Sequence, residues 1–338
     1  MEQLARLFQK TYGHEPSSIV QLKGDGSDRH IFRLADEERT VIGIWSEDHA
    51  LNVAFLEFSR HFARHGLRVP AIYAEDLSRG VYLEEDLGDW TLFDWMVALR
   101  EKEGFSPRIV DMYRKVLEDL PLFQIVAGAS IDYDLCHQHR EFGEESMAWD
   151  LHYFRHRFLE VFYKGPLDFT KLEEDFRRLR VFLLEEPRKY FMYRDFQSRN
   201  IMVVEGKPYY IDYQSGRRGA LQYDVASLLY DAKANVPETT RMELLAHYLD
   251  KVQQYEKVDP QRFVHYFYGF VLIRMMQAFG AYGYLSVVKG KKHFFKSVPF
   301  AIRNLEILLE KDLPILAQLP ELRKVCEGLV SDPELRGM

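Results

Sequence analysis

Over the first 90 residues, short apolar runs alternate with polar turn clusters, a pattern that predicts a small sheet carrying one helix. His30-Ile31-Phe32-Arg33-Leu34 and Thr40-Val41-Ile42-Gly43-Ile44-Trp45 are β-rich runs. The cluster Gly24-Asp25-Gly26-Ser27-Asp28, which follows Gln21-Leu22-Lys23, has turn composition, so these runs predict a hairpin with a glycine-bearing tip. Val53, Phe55, Leu56, Phe58, Phe62 and Ala63 recur near helical spacing over about 52–65, and Gly66 stops the run. Residues 69–73 and 80–83 predict two more short strands, ended by the acidic string Glu84-Glu85-Asp86-Leu87-Gly88-Asp89. Beyond it the pattern turns helical, with amphipathic segments around 108–128, 145–163, 170–186, 238–256, 262–285 and 296–311. One β signal interrupts them: Asn200-Ile201-Met202-Val203-Val204, a turn at Glu205-Gly206-Lys207, and Pro208-Tyr209-Tyr210-Ile211-Asp212.

The first ten residues read as an amphipathic helix, not an export signal. The most apolar stretch, 263–288, contains His265, Arg274 and several glycines, which sets it below the uncharged run a membrane span needs; it is expected as a buried helix. The predicted organisation is α+β and bilobal. A β-rich N-lobe covers 1–88 with its hinge at 84–88, a mainly helical C-lobe covers 89–338, and a cleft between them is the place to look for a site.

With 338 residues, 47% hydrophobic, and 45 Lys+Arg against 52 Asp+Glu, the chain can bury a core and is not disordered. A net charge of −7 offers no footprint for nucleic acid. Cys136 and Cys326 lie far apart without paired-cysteine spacing, which argues against a disulfide framework or a cysteine zinc site. The expectation is a cytoplasmic protein without nucleic-acid or membrane partners.

Candidate chemistry concentrates at the hairpin. Tyr193-Arg194-Asp195-Phe196-Gln197-Ser198-Arg199-Asn200 places an acid five residues before an amide. If the hairpin turns at Gly206, Asn200 lies across from Asp212 to within about one residue. A carboxamide and a carboxylate together suit Mg²⁺, which takes oxygen ligands and completes its shell with substrate phosphate. Asp195 then remains to orient a hydroxyl and accept its proton.

Arg194-Asp195, Asn200 and Asp212 in this order resemble the catalytic and metal loops of protein-kinase-like enzymes. The longer string from Tyr193 through Val204 is similar to the aminoglycoside phosphotransferase family. Ile211-Asp212-Tyr213-Gln214, the Gly219 region, Tyr223-Asp224-Val225-Ala226-Ser227-Leu228-Leu229 and the acidic string at 84–89 follow that family's pattern, so the resemblance covers most of the chain. It implies a bilobal protein-kinase-like fold using ATP and Mg²⁺. It makes Asp195 the catalytic base, Asn200 and Asp212 the metal ligands, and Arg194 and Asp224 supports of the loop. Glu85 and Leu87 would meet adenine at the hinge, while Gly26, Ser27, Arg29 and Arg33 would meet phosphates. Gln197, Arg199, Gln214, Arg274 and Gln277 fall to the acceptor side. Within the family the chain is most similar to bacterial kinases that phosphorylate the anomeric hydroxyl of N-acetylmuramate and N-acetylglucosamine in cell-wall recycling. A kinase of aminoglycosides or other small alcohols, and a nucleotide-binding pseudokinase with a regulatory role, are the alternatives.

Several features depart from that pattern or have plainer explanations. Gly24-Asp25-Gly26-Ser27 reads equally as a phosphate loop and as an ordinary hairpin turn. The strand Val41-Ile42-Gly43-Ile44-Trp45 lacks the lysine that pairs with the α/β-phosphates in kinases. Arg29 and Arg33 are the nearest cations, and Glu57 on the following helix loses its usual partner and reads as structural. Tyr193 stands where a histidine normally precedes Arg-Asp and is expected to support the loop. His137, His139, His152 and His156 lack the His-Glu-x-x-His spacing of a zinc helix and read as packed or solvated. The stripe Trp149, Tyr153, Phe154, Phe158, Phe162 is expected as core with one edge toward an acceptor pocket. Arg274, Gln277 and Gly280 share a helix face, where the polar groups bind sugar or each other. The basic run 289–293 reads as a solvated loop.

Overall fold

The computed structural model describes residues 1–22 and 29–338, so Gly26 and Ser27 lie outside the described residues. Helix α1 (Glu2–Tyr12) precedes a five-stranded antiparallel sheet of β1 (Ser18–Gln21), β2 (His30–Ala35), β3 (Thr40–Trp45), β4 (Ile72–Asp76) and β5 (Val81–Glu85), ordered β1-β2-β3-β5-β4. On one face Leu4, Leu7 and Phe8 of α1 pack against Phe32, Leu34, Val41, Val81 and Leu83. Each such side chain contributes about 1.5–3 kcal/mol when fully buried.

The other face follows from the register. Arg33 pairs Ile42, Ile31 pairs Ile44, Ile42 pairs Glu84, and Ile44 pairs Tyr82. Cross-strand partners share a face, and alternation adds Arg29 to it. Helix α2 (His49–Arg64), capped by the Asp48 carboxylate accepting from Leu51 N, reaches this face through Phe55, whose ring stacks on Tyr82 at 5.4 Å.

The chain continues through α3 (Leu92–Glu103) and α4 (Pro107–Pro121), which opens into a π turn, Leu122–Ala127. Next come α5 (Glu144–Phe154), a π turn Arg155–Leu159, the short α6 (Glu160–Phe162) and α7 (Phe169–Leu183). Strands β6 (Tyr190–Met192) and β9 (Arg217–Gly219) pair, and between them β7 (Ile201–Val204) and β8 (Lys207–Tyr210) form a hairpin. The remainder is α8 (Leu221–Leu229), α9 (Glu238–Val252), α10 (Pro260–Gly283) with a π continuation Tyr284–Val288, α11 (Val298–Leu309), α12 (Pro314–Ala317), α13 (Pro320–Ser331) and α14 (Pro333–Gly337).

Packing separates two compact units, Met1–Arg140 with Tyr193–Arg217, and Glu141–Met192 with Arg218–Met338. The first contains the five-stranded sheet, α1 to α4 and the β7–β8 hairpin. The second is built on α10, which packs against α5, α8 and the π turn at 155–159. A Cβ on Gly283 would stand 1.9 Å from the Arg157 carbonyl, so this approach of backbone to backbone requires glycine. The continuous helix Pro260–Val288 is, by length and composition, apolar enough to cross a membrane, which corrects the expectation that its charges place it below that limit. Half of its most apolar window is buried inside the protein.

Candidate active site

Every residue of the Asp195, Asn200 and Asp212 set belongs to the first unit. After β6 the backbone enters a tight segment in which Arg194 is buried and takes the left-handed φ of 80°, a conformation a non-glycine residue adopts at a cost. Gln197 N donates to the Asp195 carbonyl at 3.0 Å and Asn200 N to the Gln197 carbonyl at 2.9 Å. Asn200 Nδ2 then donates back to the Asp195 carbonyl at 2.9 Å, closing the loop on itself. With its Nδ2 committed, the carboxamide keeps Oδ1 for another partner.

The hairpin register differs by one from the sequence expectation. Ile201 pairs Tyr210 and Val204 pairs Lys207, so Asn200 lies opposite Ile211, whose N donates to the Asn200 carbonyl at 3.1 Å. Asp212 is the next residue and turns away from the strand with φ of 68°. The reason is the loop: Glu205 and Gly206 both take positive φ, 50° and 74°, making a two-residue turn of the type right-handed strand twist favours. The hairpin is fastened to α4 and to the α3 entry. Tyr210 Oη donates to Asp119 at 2.7 Å, Arg68 bonds both Asp119 and the Pro208 carbonyl, and Val203 N donates to the Trp90 carbonyl at 2.8 Å. Tyr193, in the position of the expected histidine, donates its hydroxyl to the Ile211 carbonyl at 2.5 Å, tying the Asp195 segment to the Asp212 segment.

Arg29 reaches Asp212. Its guanidinium is paired with Asp212 Oδ1, only 8% exposed, and lies 5.8 Å from the centroid of Phe55. Phe55 is stacked between Tyr82 and Tyr213, and Ser59 fixes Tyr213 through a 2.5 Å hydroxyl contact. Burial opposes the charge of Arg29, yet Asp212, Tyr82 and Glu84 hold its pKa above the usual value. Glu84, buried on the same sheet face, is pushed up to about 8, first by burial, against the pull of Arg29 and with the Asp212 charge adding to it. Arg33, the other candidate cation, is engaged elsewhere: Nη2 donates to Asp86 at 2.9 Å and Nη1 meets Asp89 at 2.8 Å. Phe55 and Tyr82 are therefore neighbours of Arg29 and Asp212 that the sequence reading did not single out, and Glu84, read there only as the start of the hinge, lies buried on the same sheet face. Their signal was strand alternation, which puts Arg29, Tyr82 and Glu84 on one face.

The remaining candidates divide between the units. Gln214 Nε2 donates to Asp212 at 2.8 Å, and its buried Oε1 has no hydrogen-bond partner among the described residues. Arg199 lies over the Phe93 ring at 4.7 Å. Glu85 N donates to the Ala71 carbonyl at 2.9 Å, and Leu87 is half-buried just beyond β5. In the second unit Asp224 is fully buried in the first turn of α8. Arg274 donates to Gln277 at 2.5 Å and to Ser227 at 2.9 Å, so these polar groups of α10 satisfy one another. Trp149 is 54% exposed and stacked on Tyr153, so the stripe's first member is not core, whereas Phe154 and Phe158 are fully buried. His152 and His156 meet Glu173 and Glu160 at 2.9 and 3.1 Å.

The oxygen donors the site could offer a hard cation are Asn200 Oδ1, the Asp212 carboxylate and the orphaned Gln214 Oε1. Among the described residues no three His, Cys, Asp or Glu side chains gather at one point. A magnesium ion held here would take further ligands from substrate phosphate and water, its usual habit.

Sheet, hairpin and loop define the class, a kinase-like α+β fold with a β-rich N-terminal region and a helical remainder. Solved structures share it: an ethanolamine kinase of Plasmodium vivax, with a TM-score of 0.60 and 12% identity over 92% of this chain and 86% of that one. A thermostable mutant of an aminoglycoside phosphotransferase, in ternary complex with AMP-PNP and hygromycin B, gives 0.55 and 15% over 98% of each. The chain matches the phosphotransferase enzyme family over residues 18–260 and belongs to it. It is a small-molecule kinase, an enzyme that moves phosphate from ATP to an alcohol. It is 27% identical to the N-acetylmuramate/N-acetylglucosamine kinase of Pseudomonas aeruginosa over 325 residues, 94% of this chain and 90% of that one.

Proposed function

We propose that the protein transfers the γ-phosphate of ATP, with Mg²⁺, to the anomeric hydroxyl of an amino sugar such as N-acetylglucosamine or N-acetylmuramate. The observation that carries the phosphotransfer reading is the loop that Asn200 closes on the Asp195 carbonyl, with Asp212 one residue past the hairpin partner of Asn200. The choice of acceptor rests on the likeness to the Pseudomonas aeruginosa kinase.

In this reading Asp195 orients the acceptor hydroxyl and takes its proton as the new O–P bond forms and ADP leaves. Asn200 and Asp212 hold Mg²⁺, which when bound neutralises charge on the transferring phosphate. Gln214 steadies Asp212, and Arg194 supports the catalytic loop. Adenine rests at the 84–88 hinge of an N-lobe ending at residue 88, near Glu85 and Leu87, and the acceptor approaches from the side of Gln197 and Arg199. The chemistry asked of the chain is mainly positioning and charge stabilisation.

The test is an ADP-release assay with Mg·ATP against N-acetylglucosamine, N-acetylmuramate, other hexoses, choline and aminoglycosides. Turnover is expected on an N-acetyl sugar, with Asp195→Asn lowering kcat by about 10²–10⁴-fold, the usual contribution of a general base. Full turnover by the variant would remove Asp195 as base. Turnover confined to choline or an aminoglycoside would overturn the amino-sugar acceptor.

A further inference from the structure

We propose that Arg29 is a built-in counter-ion of Asp212 that makes the metal site depend on nucleotide: the protein takes up a divalent cation together with a polyphosphate and holds it weakly without one. This rests on the reading of Asn200 and Asp212 as metal ligands in an ATP-dependent kinase.

The charges at the site carry the argument. Of the three oxygen donors a cation could use, Asn200 Oδ1 and Gln214 Oε1 are neutral, so Asp212 supplies the negative charge of the set. That charge is already matched. The Arg29 guanidinium pairs with Asp212 Oδ1, and Gln214 Nε2 donates to the same oxygen at 2.8 Å. Oδ2 is left for a cation, which would then share one carboxylate with a guanidinium. The Arg29 and Asp212 side chains are 8% and 31% exposed, so water screens that repulsion less than it would at the surface. Glu84 on the same sheet face, its pKa pushed up to about 8 by burial, adds no charge at neutral pH.

Neither partner is placed to give way easily. A guanidinium stays charged at all working pH values, so Arg29 does not relieve the conflict by losing a proton. Its Cζ lies 5.8 Å from the centroid of Phe55, and that ring is itself stacked between Tyr82 and Tyr213 at 5.4 and 5.0 Å. Asp212 takes a left-handed φ of 68°, directly after the carbonyl of Ile211 that the Tyr193 hydroxyl holds. A divalent cation arriving alone therefore meets a carboxylate whose charge is spent on Arg29. A polyphosphate changes the balance, because its oxygens bring the negative charge the donor set lacks and fill out the coordination shell. Metal and nucleotide then tighten one another, by the same factor in each direction.

Titration of the full-length protein with Mn²⁺, followed by electron paramagnetic resonance of the free ion, tests this without turnover. The unaltered protein should bind Mn²⁺ weakly alone, and with ADP present should retain Mn²⁺ beyond the Mn·ADP that forms in buffer. Arg29→Met is expected to bind Mn²⁺ alone at least tenfold more tightly than the unaltered protein, and Arg29→Gln to change in the same direction. Arg29→Lys keeps the charge and should show little of the gain. Adding Asp212→Asn to Arg29→Met should abolish the gain, which locates it at that carboxylate. Circular dichroism identifies the variants that fold, and either neutral variant suffices. Mn²⁺ binding by Arg29→Met or Arg29→Gln no tighter than that of the unaltered protein overturns the proposal. So does a gain that survives Asp212→Asn, or one equally large in Arg29→Lys. If the unaltered protein with ADP retains no Mn²⁺ beyond that of Mn·ADP in buffer, the kinase reading itself fails, a result distinct from those of the Arg29 variants titrated alone.

Discussion

Tyr193 links two segments that must stay in register, since its hydroxyl donates to the Ile211 carbonyl one residue before Asp212. Tyr193→Phe keeps the ring against Phe123, Phe196 and Tyr213 and removes that bond. Stability should fall by about 1 kcal/mol, the net worth of such a bond. The Mg²⁺ concentration for half-maximal turnover should rise, because Asp212 loses its anchor; a denaturant midpoint and a Mg²⁺ titration check both. At the neighbouring sheet face, Glu84 carries a proton in the folded protein between its ordinary pKa of 4.5 and about 8. Unfolded chains have lost that proton over the same window, so stability falls as pH rises through it, and Glu84→Gln should flatten the decline. Unfolding midpoints of the nucleotide-free protein at several pH values measure it; a variant as pH-dependent as its parent would show that Glu84 does not hold the proton. What residue-level reading offered here was uneven. Asp195, Asn200 and Asp212 stood out because their spacing is local, whereas Arg29 and Arg33 were equivalent, four positions apart on one strand face. What separates them is partners 183 and 53 residues away in sequence, and that pairing is a property of the folded sheet.

The β7–β8 hairpin illustrates what an element discloses of itself. Its two apolar runs and Gly206 were legible, but a turn centred on Gly206 placed Asn200 against Asp212 instead of Ile211. The one-residue difference arises because Glu205 takes a left-handed φ of 50°, which asparagine or aspartate would have advertised and glutamate does not. Glu205→Asn should therefore stabilise the protein slightly, and Gly206→Ala, at φ of 74° with no atom within 4 Å of the added Cβ, should cost about 1–2 kcal/mol from backbone strain alone. Thermal midpoints of the two variants should move in opposite directions; equal shifts would contradict the turn. The helical segments that were predicted lie close to where helices form, but α3 and α13 were not singled out, and several of the predicted ones differ in kind. The segments predicted at 108–128, 145–163 and 262–285 each pass from α into a π turn. An apolar stripe continues across such a turn, so periodicity does not reveal it. At Pro121 the missing N–H explains the loosened ladder, and at 283 the close approach to Arg157 explains the glycine.

At the scale of the whole chain, the first compact unit is discontinuous, with residues 193–217 belonging to it although 141–192 do not. No glycine-rich or serine-rich linker marks those crossings, so composition carries no trace of them. The arrangement has a thermodynamic consequence, because Arg29, Asn200 and Asp212, the residues expected to meet phosphates and metal, lie in this one unit. A ligand that binds only the folded form stabilises what must open for exchange by about 2.7 kcal/mol at a hundred times its dissociation constant. That is about a hundredfold slowing of the amides that exchange through opening of that unit. Hydrogen exchange with and without Mg·ADP should therefore show protection concentrated in residues 81–89 and 195–214. Helices α9, α11 and α13 of the second unit should change much less. Sequence-distant protection at 81–89 and 195–214 together is the signature of one ligand bridging the β5 end and the hairpin. Protection spread equally over α9, α11 and α13 would mean that the two units open as one or that the nucleotide sits elsewhere. The exchange of Asp212→Asn separates these cases, since loss of the proposed metal ligand weakens protection everywhere in the first case and alters nothing in the second.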